Sequence, residues 1–262
     1  VCADPDNLPF SNKCQEGFEN KIAEVIAKDM GATVSYTWHP QRRGFIRQTV
    51  KAGRCDLVVG VPSGYEALLL TKPYYRSSFV FVSAKDRHLD LHSFDDPALR
   101  GMKIGVQAFG DDGANLPPAH ALARRGMTSN VVGFSMLDSG DGSSAKIIDA
   151  VASGEIDTAI VWGPFAGYFA QRQPVALTIE AVTAPDDAIP LPVAYDIAMG
   201  VRHGDTAFKD QLERILDRRR SEIQKVLEAY SVPVSRDTPL TRRNESAAPL
   251  STEQLTSKGN MP

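Results

Sequence analysis

Residues 17–38 read GFENKIAEVIAKDMGATVSYTW, and their spacing decides the fold class. Phe18, Ile22, Val25, Ile26 and Met30 fall on one stripe of a helix. Gly31 stops that helix. Thr33 to Trp38 then reads as a strand, rich in β-branched and aromatic residues. A second helix is predicted from Arg43 to Ala52, with Phe45, Ile46, Thr49 and Val50 inward, and the apolar strand Leu57-Val58-Val59 follows. The chain opens in a strand at Val1-Cys2-Ala3, so the order is strand–helix–strand–helix–strand. That order predicts a parallel sheet covered on both faces.

The alternation continues downstream. Ser-Phe-Val-Phe-Val-Ser (78–83) is a strand, and a second α/β unit begins at Met102. Its predicted strands are Met102–Val106, Val131–Phe134, Thr158–Val161 and 175–179, separated by helices over 117–125, 144–153 and 164–172. The two units share architecture, not sequence. A loose Pro-rich stretch (185–193) reads as a return crossing. It leads to the strand Ile197–Val201 and one long amphipathic helix over 205–229. Residues 235–262 are polar, with the composition of a disordered tail.

Composition bounds the function. The chain has 262 residues, 42% hydrophobic and 23% charged, with a net charge of −3. That balance supplies no basic field for nucleic acid. No apolar run approaches the roughly 20 residues of a membrane helix. An export segment and a short leader are expected to precede Val1. The three cysteines, Cys2, Cys14 and Cys55, lack zinc spacing. If the strands at Cys2 and Cys55 are neighbours, a disulfide joins them, provided their Cα atoms come within ~7 Å. The alternative is three buried free thiols.

Several strings together resemble a known family: ADPDNLPFS (3–11), GFENKIAEVIAKDMGATVSYTW, GRCDLVVGVPSGYE, TKPYYRSSFVFVSAKD, LRGMKIGVQ and IIDAVASGEIDTAIVWGP. The chain resembles the type 3 periplasmic solute-binding proteins over about residues 1–232. WHPQRRGFIRQT and VWGPFAGYFA narrow the likeness to the branch associated with quinoprotein dehydrogenases, the XoxJ/MoxJ group of methanol-oxidation gene clusters. The resemblance implies an α/β, periplasmic binding protein-like fold of two lobes with a two-strand hinge and an inter-lobe cleft. Residues 1–83 with 195–234 would form one lobe, 84–194 the other, and 235–262 the tail. The hinge would lie near Val82–Lys85 and Pro192–Asp196.

The same resemblance sets expectations for the cleft. Amino-acid binders of the family grip the α-carboxylate with an arginine in the stretch that corresponds to GVPSGYEALLLTKPYY (60–75), where this chain has Glu66-Ala67. They hold the ammonium with an aspartate at the end of a second-lobe strand, where this chain has Trp162. A zwitterion buried without either partner is strongly disfavoured, so a free amino acid is not the expected ligand. The expected cleft residues are Asp4, Asp6, Asn7, Phe10, Trp38, Tyr65, Tyr74, Gln107, Phe109 and Trp162, a set suited to a flat or apolar object. The rings would otherwise close the lobe surfaces against each other. Arg42, Arg43 and Arg76 flank the same face. They would meet an anion, PQQ being a tricarboxylate, or stand as solvated rim charges.

Other groups are weaker. His88 and His92 sit in a stretch that suits a turn better than a helix, and GDDGAN and DSGDGSS are turn signals before they are cation loops. No metal site and no cofactor is expected. Asp4 and Glu66 are the evident acids for catalysis, with no orienting partner, so no catalytic residue is assigned. The expected function is a non-catalytic, monomeric periplasmic accessory of a PQQ-dependent, lanthanide-type methanol dehydrogenase, binding that enzyme and aiding its maturation or activation. The alternative is a transporter-coupled receptor for a small aromatic or apolar solute.

Overall fold

The computed structural model describes residues 1–109, 114–135, 145–184 and 191–235. The first unit comprises β1 (Cys2–Ala3), β2 (Asp6–Asn7), β3 (Ser11–Asn12), α1 (Phe18–Asp29), β4 (Thr37–Trp38), α2 (Phe45–Gln48), β5 (Leu57–Pro62), β6 (Leu69–Leu70) and β7 (Tyr75–Ala84). The second holds β8 (Ile104–Phe109), β9 (Ala114–Asn115), α3 (Pro117–Arg124), β10 (Val131–Ser135), α4 (Lys146–Ala152), β11 (Thr158–Trp162), α5 (Gly163–Ala170) and β12 (Leu177–Ala181). The chain then returns through β13 (Ala194–Val201), α6 (Thr206–Arg218) and α7 (Arg220–Ala229). This is a two-lobed α/β periplasmic binding protein fold. No helix among the described residues is long and apolar enough to cross a membrane.

Helix α1 forms for the reason its stripe suggests. Phe18, Ile22 and Ile26 are buried in the first-lobe core with Val59, Met199, Leu212, Ile215 and Leu227. Each such side chain contributes roughly 1.5–3 kcal/mol on burial. Asn20 Oδ1 accepts from the Gly17 N–H at 3.1 Å and caps the first turn. Only glycine fits at 17, because a Cβ there would lie 2.0 Å from the Phe10 carbonyl oxygen.

Strand β7 joins the lobes. Its first residues pair antiparallel with β13, Tyr75 opposite Ile197 and Ser78 opposite Ala194. From Phe79 onward it pairs with β11, Phe79 opposite Trp162 and Ser83 opposite Thr158. In the second lobe Phe79 and Phe81 face one core with Phe94, Ile104 and Ile160. Val80 and Val82 face another with Ile147, Ile148 and Phe165. Such period-2 burial on both faces marks a central strand. The change of partners falls at Ser78–Phe79, upstream of the Val82–Lys85 expected for the hinge. The strand runs unbroken through this point, so sequence carries no mark of it. At the junction the Phe79 N–H donates to the Val193 carbonyl at 2.7 Å.

The sheet is not the parallel one expected. β1 pairs parallel with β4, and β8 parallel with β10 and β11. β13, by contrast, lies antiparallel to β5, β6 and β7 because it returns from the second lobe. The second helix also shortens, to Phe45–Gln48. Buried Thr49 ends it, donating its hydroxyl to the Phe45 carbonyl at 2.7 Å and competing with the helical ladder. The long helix expected over 205–229 breaks at Arg219, whose backbone sits at φ −101, ψ 12. Its guanidinium bonds Asp29 of α1 at 2.7 Å and Glu222 at 2.8 Å, and these contacts hold the bend. Arg218 also pairs with Asp29, and the two arginines hold that carboxyl below the usual range.

Asp205 caps α6, accepting from the Phe208 N–H at 3.3 Å. Asp205→Ala is expected to lower stability by about 1 kcal/mol, read as a shifted urea midpoint at unchanged slope. After α7 the chain crosses back over the hinge. Ser77 donates to the Pro233 carbonyl at 2.7 Å, the Ser235 N–H to the Arg76 carbonyl at 3.0 Å, and Tyr230 stacks on Tyr168 of α5. The loops GDDGAN (in part) and DSGDGSS, residues 185–190 of the Pro-rich stretch and the tail from 236 lie outside the described residues.

Candidate inter-lobe binding site

A cavity of about 550 Å³ lies at the junction. The first lobe supplies Asp4, Pro5, Asp6, Asn7, Phe10, Glu19, Pro40, Gln41, Arg42, Gly60, Pro62 and Tyr75. Gln107, Leu116, Pro117, Trp162 and Phe165 come from the second, and Phe79, Tyr195 and Ile197 from the hinge strands. Trp162 and Tyr195 pack against the cores of both lobes. The wall between them is aromatic: Trp162 meets Phe79 at 5.5 Å and Tyr195 at 5.7 Å between centroids, both edge-on.

The N-terminal strand carries the acidic rim. Cys2 and Cys55 are disulfide-bonded with Cα atoms 5.5 Å apart, which anchors β1. Cys14 is exposed, not a third buried thiol. Beyond β1, Asp4 turns the chain: its carboxylate accepts from the Asp6 N–H at 2.9 Å and the Gln41 N–H at 2.6 Å. Asn7 donates to the Gln41 side chain at 3.2 Å. Across the cavity the buried Gln107 accepts from the Trp162 N–H at 3.2 Å, fixing the tryptophan where β11 gives way to α5.

Of the residues expected in the cleft, Asp4, Asp6, Asn7, Phe10, Gln107, Trp162 and Arg42 line this cavity. Trp38 does not; it stacks on Tyr36 at 4.5 Å. Tyr65 is solvent-exposed on its turn. Tyr74 points back to the first-lobe sheet, donating to the Val59 carbonyl at 3.1 Å. Its neighbour Tyr75, the first residue of β7, takes the wall, because successive side chains of an extended chain face opposite ways. The side chain of Phe109 lies outside the described ones. Arg43 is exposed and off the lining, and Arg76 is paired with Asp196 at 3.1 Å. His92 lies 2.6 Å from Asp90, and His88 sits in a left-handed turn. Among the described residues no group of three or more His, Cys, Asp or Glu is placed to hold a metal ion.

Glu19 escaped the sequence reading. It sits in the first turn of α1, where an acid favours the helix dipole and attracts no notice. Its side chain lies over Gly60 of β5, where a Cβ would come within 2.0 Å of Oε1. Desolvation pushes its pKa from 4.5 up to about 7. Burial also drives the Tyr74 and Tyr75 phenols upward, with the Glu19 charge adding to the effect.

Comparison with known proteins agrees with the geometry. Residues 1–232 match the model of the bacterial extracellular solute-binding proteins, family 3. Protein MoxJ of Methylorubrum extorquens is 29% identical over 247 residues, covering 89% of this chain and 80% of that protein. Protein MoxJ of Paracoccus denitrificans is 28% identical over 249 residues, covering 89% and 88%. The crystal structure of the periplasmic binding protein XoxJ from Methylobacterium extorquens AM1 superposes with a TM-score of 0.74 at 32% identity, covering 90% of this chain and 99% of that one.

Proposed function

Because the chain belongs to the bacterial extracellular solute-binding proteins of family 3, we propose that it works in the periplasm as a monomeric, non-catalytic accessory of a PQQ-dependent, lanthanide-type methanol dehydrogenase. It binds that enzyme and aids its maturation or activation. The observation that carries this reading is the likeness to MoxJ and XoxJ along nine-tenths of the chain. The site supports it. Among the described residues Trp162 stands at the end of β11, Glu66 is exposed on its turn and Arg76 is paired with Asp196, an arrangement that favours a ligand other than a free amino acid.

The test is native mass spectrometry and co-purification with purified methanol dehydrogenase, in its apo form and loaded with quinone and metal. Association with at least one form is expected, at micromolar strength or tighter. Failure to associate with either would overturn the reading.

A further inference from the structure

The cavity offers its occupant a carboxylate that the fold has not engaged. Asp4 gives both oxygens to backbone amides. Glu19 differs: among the described residues no hydrogen bond or ion pair reaches its carboxylate, and the only influence on its titration is desolvation. Gly60 clears the space that this carboxylate fills. Leaving a charge so placed without a partner is costly, and an ammonium group would offset that cost.

The surroundings fit the same occupant. Tyr75, Phe79, Trp162 and Tyr195 present rings to the cavity, and ring faces attract cations. Asp4 and Asp6 add negative charge, against Arg42, the one lining cation among the described residues, which already has a partner. An anion would meet these carboxylates, and a neutral apolar solute would leave Glu19 unmatched. A volume of about 550 Å³ is ample for a metabolite-sized body.

We infer that the inter-lobe cavity binds a small organic cation, an ammonium group on an aromatic or alkyl body, with Glu19 as its counter-charge and the rings as its bed. This inference does not depend on the dehydrogenase reading, since the purified chain alone is expected to bind.

The probe is benzylammonium, set against benzyl alcohol and benzoate as neutral and anionic bodies of similar size, by thermal shift and calorimetry. The cation is expected to raise the melting temperature, and the other two to leave it unchanged. Affinity is expected to fall about tenfold from about pH 8 to about pH 6, as Glu19 takes up its proton. The titratable and charged groups around Glu19 are Tyr75 of β7, Tyr74 just before it on the sheet side, Tyr36 before β4, and Asp4, Asp6, Arg42 and Tyr195 on the cavity wall. The phenols are shifted upward, away from this range. Glu19→Gln isolates the carboxylate: it should lose the pH dependence and bind at least about tenfold more weakly at the higher pH. Gly60→Ala keeps the charge but displaces it, and should weaken binding without removing the pH response. Benzoate binding as well as the cation, a folded wild type that ignores the cation up to about 10 mM, or Glu19→Gln binding it unchanged would each overturn the inference.

Discussion

Opening the Cys2–Cys55 disulfide, by reduction or by the double replacement Cys2→Ser with Cys55→Ser, is expected to destabilise the protein by about 4 kcal/mol. The bond closes a sequence separation of 53 residues, so without it the unfolded chain regains the entropy of a long loop. The effect is amplified locally. β1 has two residues and is paired to the two residues of β4. The disulfide sits in a small core with Phe45, Val50, Val58, Val61 and Leu68 that holds β1 against the lobe. Asp4, Asp6, Asn7 and Phe10 follow directly and line the cavity. Loss of the bond therefore loosens the acidic rim as well as lowering the melting temperature, by roughly 8–16 °C for a domain of this size. Thermal scans with and without reductant, with thiol titration to confirm opening, make the measurement. Coincident transitions in the two states would show that the bond adds nothing.

The fold was legible where local pattern and tertiary contact agree. The stripe Phe18, Ile22, Ile26 is the buried face of α1, and the run around Phe79–Val82 is a strand buried on both sides. Reading failed where a distant partner decides. Arg219 carries no breaker signal, and the bend depends on Asp29, far away in sequence. Tyr74 and Tyr75 are equivalent as letters, and only strand register turns one to the cavity and the other to the sheet. Glu19 is the sharpest case. On a helical wheel it is an ordinary first-turn acid. It becomes a cavity group only because Gly60, on a separate strand, makes room for it.

Glu19→Gln is expected to stabilise the protein at neutral and alkaline pH and to leave it unchanged in acid. The folded chain holds the Glu19 proton to about pH 7, against an ordinary value of 4.5. Below the lower value folded and unfolded chains both carry the proton, and glutamate and glutamine are nearly equivalent. Between the two values the unfolded chain has released it and the folded chain has not, so wild-type stability falls as pH rises. Above about pH 7 the full penalty of a desolvated carboxylate remains. With solvent in the cavity screening part of it, that penalty is on the order of 2–3 kcal/mol. Glutamine keeps the shape without the charge, so the variant should melt roughly 5–10 °C higher at about pH 8 and within about a degree of wild type at about pH 4. Urea unfolding of both proteins across this range gives the comparison directly. A wild type whose stability, relative to the variant, does not decline between those pH values would mean that Glu19 ionises freely in the fold. The carboxylate would then be solvated rather than held in the cavity wall, and its place beside Gly60 would carry no energetic consequence.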